Sequence, residues 1–220
     1  MRPPSSSATC SVAMVVFFVL AMLSTPFAEA TQTAYAQQDA DRLRALFDRA
    51  SSRADSLLVR YRLYPLTEDA SVLDGLPSSL SDGTAREYAL LSGLWAYRAG
   101  EASIFSAVTY GRRSTNLLEE AKAQAPNAPF VLLVEGQSLL FRPSIAGKDP
   151  DGAARRFGRL AEVVAAEQGS AITETEAHMW RWLALREADR PDDAQPLHDR
   201  LTGQDLPPLY RQFLESPPDV

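Results

Sequence analysis

Apolar residues recur along most of the chain at steps of three and four residues, which is the period of one face of an α-helix. The first such run covers residues 37–63 and is stopped by Pro65. No stretch alternates apolar and polar residues in the two-residue period of a strand between hairpin turns. The pattern therefore predicts an all-α protein with about eight helices, joined by short connections that make successive helices antiparallel neighbours.

Caps and breakers mark where these helices begin and end. Thr84 and Glu87 fit a capping box, in which each residue's side chain satisfies a free backbone N–H group of the other. Thr173 and Glu176 repeat the pattern, and Pro129 fits the first position of a helix. The predicted helices cover residues 37–63, 85–99, 103–125, 129–141, 150–168 and 174–188, a segment opening at Pro191, and residues 208–214.

The first 30 residues have the three parts of a secretory signal peptide. A start with one charge, Arg2, precedes an unbroken apolar run, Val12 to Leu23, and the segment ends Ala28-Glu29-Ala30. Because the run is well short of the roughly 20 residues that span a bilayer, cleavage is favoured over retention as an anchor. A second small-residue site ends at Ala36, so cleavage is predicted after Ala30 or Ala36. The mature protein is expected in the periplasm or outside the cell, without a membrane span.

Composition and charge narrow the possible chemistry. The single cysteine, Cys10, lies in the segment predicted to be removed, which leaves no thiol for a disulfide, a metal site or a nucleophile. The net charge of −6 argues against a nucleic-acid binder, because phosphate neutralisation needs clustered Lys and Arg. His178 and His198, the only histidines, lack zinc spacing. With no triad, carboxylate pair or phosphate loop assignable, we expect a protein that is not an enzyme, with no catalytic residues, metal or cofactor.

Small residues and prolines fall at regular positions in the second half of the chain. Ser114, Leu118, Ala121 and Pro126 have the spacing of the second helix of a tetratricopeptide repeat (TPR) unit, and Gly136, Ala153 and Phe157 fit a close helix crossing. On these stretches, residues 85–215 resemble the exported TPR-like proteins of bacteria. The chain departs from their usual aromatic-Gly-Gly loop at Ile145-Ala146-Gly147. The resemblance implies antiparallel helix pairs stacked as a short right-handed solenoid.

The resemblance also implies a domain organisation and a binding face. Residues 1–30 are the signal peptide, 31–84 an N-terminal helical segment and loop, and 85–220 a repeat region that packs with that segment as one domain. In this architecture ligands bind the concave face, which is lined by the first helix of each pair. By register from the predicted crossings, the residues expected on that face are Leu94, Tyr97, Leu133, Gln137, Leu140 and Arg181.

Two functions remain open at this point. The leading hypothesis is a non-catalytic scaffold that binds a protein or peptide partner in the cell envelope, because a helical repeat follows an export signal. The alternative is a small-ligand-binding accessory protein of a solute-uptake system, because aromatic and arginine side chains are expected in the same groove. The sequence indicates neither the partner nor the oligomeric state.

Overall fold

The computed structural model describes residues 25–166 and 171–220, and all regular secondary structure in those residues is helical. The all-α prediction is confirmed, but the described residues form ten α-helices rather than the predicted eight. Two 3-10 turns, Ala70–Leu73 and Ser144–Ala146, lie in the connections. The helices are α1 (Thr25–Ala36), α2 (Ala40–Asp48), α3 (Arg53–Thr67), α4 (Ala85–Gly100), α5 (Ile104–Gln124), α6 (Pro129–Phe141), α7 (Pro150–Ala166), α8 (Glu174–Glu187), α9 (Pro191–Thr202) and α10 (Pro208–Glu215).

The difference in helix number arises in the N-terminal part of the chain. The segment predicted as one helix, residues 37–63, is interrupted between α2 and α3. The Ser52 hydroxyl accepts a hydrogen bond from the Asp55 N–H at 3.1 Å, so it acts as the N-cap that starts α3. That helix then continues beyond Pro65, which lies in its last turn instead of following it. The division of this segment into α2 and α3 adds one helix to the predicted number, and α1, which precedes residue 37, adds the second.

Helices α4 to α9 pack mainly on their neighbours in the chain, most extensively α4 on α5, α7 on α8 and α6 on α7. Helix α4 also contacts α6, and α8 contacts α9. At the crossing of α6 and α7, a Cβ on Gly136 would lie only 2.5 Å from Phe157 Cε1. Phe157 and Ala153 are fully buried there. The predicted close approach at Gly136 is therefore present, because a glycine leaves room for the ring.

The N-terminal helices close the structure against its other end. Helices α1, α2 and α3 pack together around a small apolar cluster that includes Ala34, Leu43 and Val59. Helix α3 continues the stack onto α4, while α1 also contacts α10. The first and last described helices therefore meet, and the inner faces of α3, α4, α6 and α8 surround an interior space.

Most of the predicted signal peptide, and with it Cys10, lies outside the described residues. The end of that segment, residues 25–30, forms the first half of α1, where Ala28 is buried against the main core. Within residues 25–166 and 171–220, no helix combines the length and the apolar character that crossing a bilayer requires.

Candidate functional site

A half-open pocket of about 940 Å³ lies between α1, α3, α4, α6, α8 and α10. Its volume lies in the range of about 300–1,000 Å³ that is typical of small-molecule sites. The wall of this pocket includes eight side chains from five helices and the residue after α4. They are Tyr35 of α1, Tyr64 of α3, Ala96 and Tyr97 of α4, Gln137 and Phe141 of α6, Trp180 of α8, and Glu101.

Helices α4 and α6 each present a continuous stripe of residues to this pocket. On α4 the lining residues include Gly93, Ala96 and Gly100, at steps of three and four that share one helix face. The space beside Gly93 is filled by the Tyr61 ring, whereas a Cβ on Gly100 would meet nothing within 4 Å. On α6 the stripe runs from Val134 through Gln137 to Phe141, again three and four residues apart. The pocket is thus the gap between two packed helices whose facing residues on α4 are small.

Aromatic rings form much of the wall. Tyr97 stacks on Tyr64 with ring centroids 4.8 Å apart and on Tyr61 with centroids 5.6 Å apart. Across the pocket, Trp180 stacks on Phe157 at 5.9 Å and meets Phe141 edge-on at 6.0 Å. Each ring is held by at least one other ring, so both walls are preorganised and present apolar faces to an occupant.

The polar groups of the wall are neutral or acidic. The Tyr64 hydroxyl donates to Glu101 Oε1 at 2.5 Å, and the Tyr61 hydroxyl donates to the side-chain oxygen Oε1 of Gln137. Burial raises the pKa of Tyr97 well above its ordinary value, so this phenol stays neutral at physiological pH. The carboxylates in the wall belong to Glu68 and Glu101, both exposed at the rim, and no Lys or Arg lies among the described lining residues.

The six residues expected on a binding face are divided by the structure. Tyr97 and Gln137 line the pocket. Leu94, Leu133 and Leu140 have no exposed surface and pack in the main core. Arg181 is exposed on the other side of α8, with its guanidinium beside Gly158 of α7, while its neighbour Trp180 lines the pocket.

The displaced residues share one cause. All four of them are one position from a residue that does line the pocket, and one position turns a helix by about 100°. They are Leu94, Leu133, Leu140 and Arg181. Helix α6 is apolar on nearly every side (PFVLLVEGQSLLF), so its hydrophobic pattern could not define which face meets the interior.

Sequence reasoning missed a buried polar cluster beside the pocket, which we call the Arg62 cluster: Arg62, Glu176, Gln32, Tyr35 and Tyr210. Arg62 and Glu176 are 2% and 1% exposed, and their side chains form two hydrogen bonds of 2.5 and 3.0 Å. Gln32 donates to Glu176 Oε2 at 3.2 Å and also contacts the Tyr210 hydroxyl. The cluster joins α1, α3, α8 and α10.

The charge states in this cluster are set by competition between burial and pairing. Burial alone would lower the pKa of Arg62, but the facing Glu176 carboxylate raises it, so the guanidinium stays charged. Burial raises the pKa of Tyr35 to about 12, an effect that the neighbouring Arg62 charge partly offsets. Thr173 does cap α8, accepting from the Glu176 N–H at 3.1 Å, but the Glu176 carboxylate binds Arg62. The predicted capping box is therefore only half formed. Thr173 caps the helix, and the Glu176 side chain makes a tertiary contact instead.

The histidines lie away from the pocket. His178 Nε2 is 3.1 Å from Glu174 Oε1 one turn earlier on α8, and the His198 ring packs on Trp182 with centroids 5.3 Å apart. Neither histidine belongs to the pocket wall. In the described ranges, no group of three or more His, Cys, Asp or Glu could hold a metal ion.

No protein family, curated protein or solved structure matches this chain.

Proposed function

We propose that this chain is an exported, non-catalytic binding protein of TPR-like architecture whose central pocket binds a small molecule. The observation that carries the proposal is the pocket of about 940 Å³, lined by ordered aromatic rings with a few polar groups between them. Binding sites for small molecules are typically concave and mostly apolar, with a small number of polar groups that fix orientation.

Two features support the wider description. The packing of α4 to α9 on their neighbours in the chain, with a glycine at the α6–α7 crossing, supports the TPR-like arrangement. The charged start, apolar run and small-residue exit of residues 1–30 support export, with cleavage after Ala30, which keeps Gln32 and Tyr35 of α1 in the mature protein. The small-ligand function, which was the alternative on sequence grounds, is favoured here because the inner face of the stack is closed by α1 and α10 into a pocket.

The proposal is tested by filling the pocket. Ala96 is exposed to the pocket from the middle of α4, so Ala96→Trp would occupy part of its volume. Ala165→Trp makes the same change at an exposed position near the end of α7, outside the pocket wall, and serves as the matched control. In a thermal-shift screen of metabolites, a ligand that binds the folded state raises Tm.

We expect compounds that raise the Tm of the wild type and of Ala165→Trp but not of Ala96→Trp. A screen in which no compound shifts the wild type, or in which Ala96→Trp responds as strongly as the control, would contradict a small-molecule function for this pocket.

A second candidate, the envelope scaffold for a protein or peptide partner, is favoured by one observation outside the pocket. The first turns of α5 expose Ile104, Phe105 and Val108, which are 81%, 90% and 53% accessible. Exposed apolar side chains in a group are typical of interaction surfaces. Cross-linking in an envelope extract would detect a partner that Phe105→Ser loses. An identical set of cross-linked proteins from both chains would contradict a partner on this surface.

A further inference from the structure

The Arg62 cluster shows how this fold accommodates a cation. The Arg62 guanidinium carbon lies 4.4 Å from the centre of the Tyr35 ring, 5.7 Å from that of Tyr61 and 5.8 Å from that of Phe130. The Glu176 carboxylate completes its surroundings. Aromatic faces and one carboxylate together hold a fully desolvated positive charge here.

The neighbouring pocket is built from the same kinds of groups. Tyr35 belongs to both, and on the pocket side it is joined by Tyr64, Tyr97 and Trp180. The Glu101 carboxylate is held in place by the Tyr64 hydroxyl. Among the described residues of the wall, however, there is no Lys or Arg to supply the positive charge.

Helix ends add to the negative potential of the pocket. Thr67 and Gly100, the last residues of α3 and α4, both line it. Each helix C-terminus carries a partial negative charge of about half an elementary unit, from carbonyl groups without a helical partner. At the end of α6 the Arg142 guanidinium already donates to the Ser138 carbonyl at 2.8 Å, and Leu209 brings the N-terminal end of α10 to the wall. The ends of α3 and α4 therefore are the two that favour a cation over an anion.

We propose that the pocket binds an organic cation, an ammonium or guanidinium group attached to a partly apolar body. The inference rests on the small-molecule function proposed above and specifies its ligand class. The charged group would lie near Glu101 and Tyr64 at the C-terminal end of α4. The apolar body would lie along Tyr97, Phe141 and Trp180.

Three probes of one shape and different charge test the ligand class by calorimetric titration of the full chain at neutral pH: phenethylammonium, phenethyl alcohol and phenylacetate. We expect the cation to bind about tenfold or more tightly than the alcohol, with the anion weakest. Glu101→Gln keeps an acceptor for the Tyr64 hydroxyl but removes the charge, and should weaken the cation about three- to tenfold while leaving the alcohol unchanged. Glu119→Gln, at an exposed carboxylate of α5 that pairs with Lys122, is the matched control and should change nothing.

Several outcomes would overturn the cation proposal, and they separate it from the proposed function. If the alcohol or the anion binds at least as tightly as the cation and Ala96→Trp abolishes that binding, the pocket is a ligand site of another class. If phenethylammonium binds Ala96→Trp and the wild type equally, the pocket is not its site and both proposals fail for this ligand. If phenethylammonium gives no binding, or Glu101→Gln leaves its affinity unchanged, the cation proposal is wrong whatever the screen of metabolites finds.

Discussion

The Arg62 cluster and the central pocket are neighbouring parts of one interior, and Tyr35 belongs to both. In the cluster, α1, α3, α8 and α10 converge and the chain fills the space with its own charged side chains. In the pocket, tyrosines, a tryptophan and carboxylates line a space that no side chain of the described residues fills. Similar residue types therefore serve stability where the helices converge, and they line a binding cavity where the small residues of α4 leave space unfilled.

The two parts should therefore respond differently to substitution. Removing one member of a buried ion pair costs much stability. The charge that remains has lost its hydration and no longer has a partner. A side chain of the pocket wall faces space, so changing it alters what fits and has a smaller effect on folding.

The largest effect is expected for Glu176→Ala, which leaves the Arg62 guanidinium buried without its carboxylate. The free energy of unfolding should fall by about 3–5 kcal/mol, measured by urea denaturation. Glu174→Ala is the control on the same helix, since this carboxylate is 56% exposed and pairs with His178, and should cost less than about 1 kcal/mol. The double variant Arg62→Met, Glu176→Leu should recover most of the loss. Equal effects of the two single substitutions would contradict the distinction between buried and open parts.

The alkaline stability of the protein should depend on Tyr35 of the Arg62 cluster. Its folded pKa of about 12 lies above the unfolded value near 10, so its contribution is complete below about pH 10 and is lost as the pH rises toward about 12. The loss attributable to this residue is about 2–3 kcal/mol. Tyr35→Phe cannot ionise and should show a shallower fall in unfolding free energy between those pH values. Parallel pH curves for the two proteins would rule out this role.

A smaller effect is expected behind the pocket wall. Phe157 lies between the Gly136 backbone and the Trp180 ring, so Gly136→Ala should push Phe157 toward the pocket and cost about 1–3 kcal/mol. Gly111→Ala, in the interior of α5 where an added Cβ meets nothing within 4 Å, should instead stabilise by about 0.5–1 kcal/mol. Because Trp180 is part of the pocket wall, Gly136→Ala should also weaken the binding of ligands found in the metabolite screen. If the stability falls but the ligand affinity is unchanged, packing at the α6–α7 crossing does not influence the pocket.

Local signals in the sequence predicted the helices well and the interior only in part. The Thr84 capping box is present, with the Thr84 N–H donating to Glu87 Oε2 at 2.9 Å and the Glu87 N–H donating to the Thr84 hydroxyl at 3.3 Å. Caps of this kind involve residues three apart, so a short window contains the whole interaction. Of the residues predicted from the registers of Gly93 and Gly136, Tyr97 and Gln137 line the pocket, whereas Leu94, Leu133 and Leu140 are buried in the core.

The Arg62 cluster could not be found in the same way. Arg62 and Glu176 are 114 residues apart, and no local pattern relates them. Glu176 also sits in a Thr-x-x-Glu sequence that has a sufficient local explanation as a capping box. Charged residues are rarely fully buried, and nothing in the sequence distinguishes Arg62 from the other arginines. Only the tertiary arrangement reveals that its side chain is enclosed.

The contact between α1 and α10 has a consequence for how the molecule assembles. In a linear stack of repeats each unit needs only its neighbours, so folding can start anywhere and spread. Here Gln32 and Tyr210 are 178 residues apart, so the ring of helices cannot close until the last helix has joined. High sequence separation slows folding. During synthesis, the growing chain would therefore stay unclosed until α10 has been made, and the pocket and the Arg62 cluster would be completed together when α10 packs on α1.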